Sequence, residues 1–280
     1  MSYVTPFHRY IPSWTALPTI PSTIFVKKPA VNIREISLSK ELLPAHAKAN
    51  LFSLLVEARF KSIQFGSFKE VPGIADTEKL YKSLKVYSDI KYDAVIRNIQ
   101  EFNAAAKVYE SKKKLTLSIF TENEYMDQFD PVISAALQKN IDIDGYLSCT
   151  PPERVATTTL KMLSRGIKTV ILRNLPTYGD TKQITDIIDT IREKCPSFNL
   201  KWESVQNQLS FNLHGFDLKH FDEVLNLGIR SFETSMPESL NTLHLVRQLH
   251  RLGLHTGIDD NCLERIERIF WAYKEEYNLI

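Results

Sequence analysis

Several things are scarce in this chain of 280 residues, and each scarcity excludes a class of protein. Cysteine occurs three times, at Cys149, Cys195 and Cys262, widely spaced and in no ligand pattern. That leaves neither a disulfide framework nor a zinc site. It suits a reducing compartment, the cytoplasm or the mitochondrial matrix, rather than secretion. No apolar run approaches the length of a membrane span. Charge of one sign is not in excess either: 35 basic residues against 33 acidic give a net charge of +2, too little for a nucleic-acid footprint. The one basic run, Lys112-Lys113-Lys114, falls between a helical pattern and a β-rich one and reads as a solvated loop. Acidic residues are missing altogether from the first 34 positions, which hold five of the 13 prolines (Pro6, Pro12, Pro18, Pro21 and Pro29) among Tyr3, Phe7, Tyr10 and Trp14. Prolines this frequent forbid a helix and favour an extended arm over residues 1–30, laid on the chain's own surface or on a partner. An organellar presequence would share the lack of acid, though the prolines spoil the amphipathic helix it needs; plain disorder is the third reading.

What is present is a rhythm. With 43% hydrophobic and 24% charged residues the chain can bury a sizeable core. From residue 31, β-rich runs alternate with helical patterns. VNIREISL precedes AHAKANLFSLLVEA, KSIQFGSF precedes DTEKLYKSLKVY, and YDAVIRN precedes IQEFNAAAKVYE. KLTLSIFT, DIDGYLSC, KTVILRN, LSFNLHG and SFETS each lead into a further helical stretch. Eight strand–helix units are the number that closes a parallel (β/α)8 barrel. Gly166, Gly228 and Gly253 sit where helices should stop, and Pro151 and Pro152 where one should start. The expected organisation is an arm (1–30), a TIM barrel (31–258) and a C-terminal helix (259–280). That last helix carries a stripe of Ile266, Ile269, Phe270, Tyr273 and Tyr277, which must pack on the barrel flank or on a symmetric partner.

In such barrels chemistry sits where the strands end and the loops into the helices begin. Those ends carry Ser39 and Lys40, Gln64 and Ser67, Arg97 and Asn98, Glu122, Cys149, Arg173 and Asn174, Asn212 and His214, Glu233 and Ser235. Asn212 and His214, two residues apart, fall on one side of a strand. His214 alone reads as a hydrogen-bonded barrel residue and Cys149 as core. Arg97 and Arg173 would bind an anion or pair with Glu122 or Glu233. His220, His244, His250 and His255 read as surface residues on helices or their ends.

Four stretches in the right order resemble the 3-hydroxy-3-methylglutaryl-CoA lyases, within the metal-dependent TIM-barrel lyases and synthases. IQFGSF (63–68) resembles that family's "IEATSF", and YDAVIRNIQEFNAA (92–105) resembles a tyrosine-led third strand with an "NLKGFEAA"-like helix start. DGYLSC (144–149) resembles "RGYVSC", and RLGLHTGID (251–259) resembles "GLGIHTGV". The likeness runs from about residue 31 to 258.

The resemblance implies a divalent metal at the barrel mouth, and the departures fall there. An Arg-Asp pair, which stabilises the enolate and binds the cation, is replaced by Ser39 and Lys40. The second-strand glutamate is Gln64. The "GDT" of the sixth strand reads Arg173-Asn174-Leu175, and the His-x-His of the seventh reads Asn212-Leu213-His214. The glycine-rich loop with the catalytic cysteine is missing, and the metal-binding asparagine beyond it falls on Ser239, with Asn241 nearby. Of four expected ligands, at positions 40, 212, 214 and 239, His214 alone is kept. The expectation is a catalytically inactive relative without a metal or other cofactor, with Lys40 standing in for the cation and held by Glu35, Asn212 or Asn174. Such a chain would serve as a binding or structural subunit, meeting a protein partner or a second copy through the arm or the C-terminal helix. Two alternatives stay open. One is an altered metal-independent lyase or aldolase on an acyl-CoA or oxo-acid, with Lys40 as a Schiff-base nucleophile. The other is a small-acid sensor binding through Arg97, Arg173 and Lys40.

Overall fold

The computed structural model describes residues 30–40, 42–68, 77–112, 114–121, 126–149, 152–175, 181–214, 216, 218–236 and 242–279. The arm up to residue 29, Pro151, Glu122, Ser239 and Asn241 lie outside the described residues.

Eight parallel strands close on themselves: β1 (Asn32–Glu35), β2 (Ser62–Ser67), β3 (Lys91–Ile96), β4 (Thr116–Thr121), β5 (Asp142–Ser148), β6 (Thr169–Arg173), β7 (Leu209–Asn212) and β8 (Ser231–Thr234). The seam runs from Asn32 opposite Ser231 to Glu35 opposite Thr234. Around them lie α1 (Ser37–Lys40), α2 (Ala45–Glu57), α3 (Thr77–Ser83), α4 (Ile99–Lys112), α5 (Asp130–Lys139), α6 (Pro152–Ser164), α7 (Thr181–Lys194), α8 (Trp202–Asn207), α9 (Phe221–Asn226), α10 (Thr242–Arg251) and α11 (Asp260–Glu276). The eightfold alternation is as the sequence predicts, because each helix repeats apolar residues on one face: Ala47, Leu51, Leu54 and Leu55 of α2 are all buried. Gly166, Gly228 and Gly253, just past α6, α9 and α10, all take positive φ (98°, 85° and 76°), which closes a helix at little steric cost.

Strand alternation sorts the side chains into an apolar shell and a polar centre. Ile63, Phe65, Tyr92, Ala94, Leu117, Ile119, Val170, Leu172, Phe211 and Phe232 are buried in the hydrophobic core that includes the helices. The residues between them, Arg34, Gln64, Asp93, Ser118, Asp144, Tyr146, Asn212 and Glu233, meet one another across the barrel. Barrel interiors of this class are ordinarily filled by branched aliphatic residues. This one is filled by ions and amides.

The first strand departs from expectation. It ends at Glu35 rather than running to Leu38, and Ser39 and Lys40 fall on the single turn α1. The Glu35 carboxylate captures the Ser37 backbone N–H at 2.9 Å, and the Ser39 N–H returns to the Ile36 carbonyl. A side-chain acceptor offered to the following amides ends a strand in favour of a turn. Glu35 also accepts from Met236 N at 3.2 Å and from Thr242 Oγ1 at 2.8 Å, so one buried carboxylate ties together β1, the end of β8 and the start of α10. Burial raises its pKa, with those hydrogen bonds opposing.

The C-terminal helix packs on its own barrel. Asp259 caps it, accepting from Asn261 N and Cys262 N. Leu263, Ile266 and Phe270 are buried. Tyr273 and Tyr277 hydrogen-bond Asn50 and His46 of α2, both at 2.8 Å. The predicted stripe is thus used on the flank.

Candidate functional site

A cavity of about 410 Å3 opens at the C-terminal ends of the strands. Ser39 and Lys40 line it from α1, Gln64 and Ser67 from β2, and Arg97 from just past β3. Arg173 and Asn174 line it at the end of β6, and Asn212 and His214 at the end of β7. Ile36, Val95, Phe120 and Tyr146 complete the described wall. Nine of the strand-end positions read from the sequence therefore converge on one cavity, whereas Asn98, Cys149, Glu233 and Ser235 do not line it.

Their surroundings differ. Ser39, Gln64, Ser67 and Asn212 are buried; Lys40, Arg97, Asn174 and His214 are exposed. His214 lies past the end of β7, and its N–H donates to Asn212 Oδ1 at 3.1 Å. Lys40 stands at the rim. Of the three residues expected to hold it, Glu35 makes the bonds described above, Asn212 accepts from His214 N and donates through Nδ2 to Glu233 Oε2 at 3.1 Å, and Asn174 donates through Nδ2 to Ser148 Oγ at 3.2 Å. Nor does Glu233 pair with Arg97 or Arg173 as expected. Glu233 faces Arg34 at 3.2 Å inside the barrel. Arg97 Nε instead meets Glu101 Oε1 at 3.1 Å, one turn into α4, and Arg173 lies over the Phe120 ring, 5.1 Å from its centroid. Cys149 is core as expected, and burial pushes its thiol up to about 12, out of reach of nucleophilic chemistry.

Beneath the cavity lies a network of which the strand ends named above supply Ser39, Gln64 and Glu233, whereas Arg34, Lys91, Asp93, Asp144 and Tyr146 were missed. Ser39 Oγ sits 2.6 Å from Gln64 Oε1, and Gln64 Nε2 donates to Asp93 and, at 2.9 Å, to the Tyr146 hydroxyl. Tyr146 donates in turn to Glu233 Oε1 at 2.9 Å. Arg34 reaches Asp93 at 3.4 Å and also contacts Asp144, which Lys91 approaches to 2.6 Å. Two cations thus stand among three carboxylates. Burial raises Asp93 and Glu233, with Arg34 opposing. Burial would raise Asp144 too, but Lys91 and Arg34 together bring it below its ordinary value. Burial and the Glu233 charge hold Tyr146 well above the usual range, so its hydroxyl stays protonated and can only donate or accept hydrogen bonds. The signal for this network was in the sequence: Ile33-Arg34, Ile63-Gln64-Phe65, Tyr92-Asp93-Ala94 and Ile143-Asp144 each set a polar residue against apolar neighbours in mid-strand.

No family model matches the chain. The cytoplasmic 3-hydroxy-3-methylglutaryl-CoA lyase of Danio rerio is 26% identical over 276 residues, spanning 87% of this chain and 81% of that protein. The mitochondrial hydroxymethylglutaryl-CoA lyase of Macaca fascicularis is 26% identical over 252 residues, spanning 79% and 76%. The chain is a homologue of the hydroxymethylglutaryl-CoA lyases. The crystal structure of the Pseudomonas aeruginosa enzyme has the same fold, with a TM-score of 0.76 at 20% identity over 88% of this chain and 93% of that one. In the lyase homologue described here, the residues around the mouth fit a divalent cation poorly. Among the described residues no group of three or more His, Cys, Asp and Glu is placed to hold a metal. The described cavity wall offers one imidazole and neutral amides beside an ammonium and two guanidinium groups.

Proposed function

We propose that this chain is a hydroxymethylglutaryl-CoA lyase homologue that does not carry out metal-dependent carbon–carbon cleavage and is retained as a binding subunit. One observation carries the reading: Lys40, at the position that the resemblance assigns to a metal-binding aspartate, lines the same cavity as Asn212 and His214. A lysine ammonium about 4 Å from a divalent ion is repelled by roughly 8 kcal/mol, at about 4 per unit-charge pair in an effective dielectric of 20. One imidazole does not offset that. The metal-independent route through Lys40 as a Schiff-base nucleophile gains no support from the wall, where no described carboxylate stands ready to move the proton.

Relatives carry both cytoplasmic and mitochondrial names, and we place this chain in one of those reducing compartments. Among the described residues no helix is long and apolar enough to cross a membrane. Contact with a partner or a second copy falls to the arm rather than to α11, whose apolar stripe is used on α2. Deleting residues 1–30 is then expected to abolish any self-association seen by light scattering.

The direct test is metal analysis of the purified chain together with a cleavage assay on hydroxymethylglutaryl-CoA. The native chain is expected to carry no stoichiometric divalent metal and to release no product. The Lys40→Asp, Asn212→His double variant is expected to gain manganese binding by calorimetry. Turnover by the native chain, or a tightly held divalent metal in it, refutes the proposal.

A further inference from the structure

The cavity wall is one-sided in charge. Lys40 lines it from α1, Arg97 from just past β3 and Arg173 from the end of β6, and no Asp or Glu is among the described lining residues. Arg97 shares its charge with Glu101, whereas Arg173 makes no ion pair among the described residues. The Arg173 guanidinium is fixed in another way. It lies over Phe120, which stacks on Tyr146 with ring centres 4.3 Å apart and planes 5° from parallel. Tyr146 is itself anchored by its bonds to Gln64 and Glu233, so the platform under the guanidinium is tied to the centre of the barrel. An arginine held on an aromatic face keeps its planar fork of donors for a carboxylate and loses little side-chain freedom when one arrives. The floor supplies neutral donors and acceptors at Ser39, Gln64, Ser67 and Asn212, while Ile36, Val95 and Phe120 make apolar wall.

From this arrangement we propose that the barrel mouth binds a small aliphatic dicarboxylate directly, without a metal. Arg173 takes one carboxylate, and the Lys40 and His214 side of the rim faces the other. Cations spread over three separate elements of the rim suit a dianion better than a single acid group. The apolar wall suits a carbon skeleton better than inorganic phosphate. A volume of about 410 Å3 is in the range of small-molecule pockets. The inference rests on the proposed function in one respect, that the mouth holds no divalent cation.

Calorimetric titration in the presence of EDTA tests it, with succinate and glutarate as probes and with propionate, glutaramide and inorganic phosphate as comparisons. Saturable one-to-one binding of a dicarboxylate is expected, with propionate and phosphate at least about tenfold weaker and glutaramide silent. Arg173→Gln is expected to weaken binding about tenfold or more, and Arg173→Lys, which keeps the charge but not the fork, by several-fold. Because Arg173 is half-buried, circular dichroism on each variant checks that the barrel is intact, and Phe120→Leu provides a second variant that removes the platform and keeps the charge. Phosphate binding as tightly as glutarate, or unchanged affinity in both Arg173→Gln and Phe120→Leu, overturns the assignment. The same holds if neither dicarboxylate binds. Cleavage of hydroxymethylglutaryl-CoA by the native chain overturns the inactive reading alone, so the two failures are distinguishable.

Discussion

Arg34 shows what one side chain can decide. It is almost wholly buried, and three carboxylates with no solvent exposure at all stand within contact of it. Those carboxylates raise its pKa well above the ordinary arginine value, although burial by itself would lower it. Taking several charges out of water costs several kcal/mol per ion, and the cluster recovers that cost through mutual attraction and through hydrogen bonds to every carboxylate oxygen except Asp144 Oδ1. Removing one partner is therefore expensive in a way that the worth of the pairing is not. Arg34→Met keeps the length and apolar stem of the side chain but leaves Asp93, Asp144 and Glu233 facing one another, with Lys91 touching only Asp144. The expected loss is about 3–5 kcal/mol, read as a lower urea midpoint. A loss below about 1 kcal/mol would mean that the carboxylates simply take up protons in place of the guanidinium, and the ionic account of the barrel centre would then be wrong.

At the scale of elements, β2 and the start of α3 are joined through Gly66. The register of β2 on β3 slips between Gln64 and Gly66, and a Cβ at Gly66 would lie 2.7 Å from Thr77 Oγ1 and 2.8 Å from its Cγ2. Thr77 cannot easily yield, since its hydroxyl bonds both the carbonyl of Ser67, at 2.6 Å, and the N–H, at 3.2 Å. Gly66→Ala is expected to cost about 1–3 kcal/mol in urea unfolding, and Thr77→Ser in the same chain, which deletes the clashing methyl, to return part of it. No recovery in the double variant would place the strain elsewhere. This joint also marks where sequence reading stops. The eight strands and their helices were legible because each repeats its own period locally, and the mouth residues were legible because a closed barrel gathers strand ends at one rim. The end of β1 was not, because it depends on Glu35 reaching Ser37, Met236 and Thr242, and two of those contacts join residues some two hundred positions apart. Alternation announces a polar centre, but not that Glu233 turns to Arg34 instead of Arg173. Partner choice among buried charges is set by the closed ring, and no window of sequence contains it.

For the whole molecule, closure is the condition on which every site described depends, and the chain's last helix guards it. Residues that follow α10 tie back onto the start of the barrel: Val31 N, just before β1 at the seam, donates to His255 O at 2.9 Å, and Asp259 N donates to Ala58 O, at the end of α2, at 3.0 Å. From Asp259, α11 runs back along α2, to which Tyr273 and Tyr277 bond, and buries Leu263, Ile266 and Phe270. Three large apolar side chains at about 1.5–3 kcal/mol each come to roughly 5–9 kcal/mol, which is comparable with the entire stability of an ordinary domain. A chain ending at residue 259 keeps every strand of the barrel and every described residue of the cavity, yet it exposes the flank of α2 beside the seam. It is expected to be insoluble, or to unfold at a urea concentration too low to define a native baseline. Single substitution of Phe270 by Ala, at about 3–5 kcal/mol, should fall between the truncated and full chains. If the truncated chain instead melts within a few degrees of the full one, with dicarboxylate binding intact, α11 is an accessory to the barrel, and its apolar face has to be explained by something other than closure.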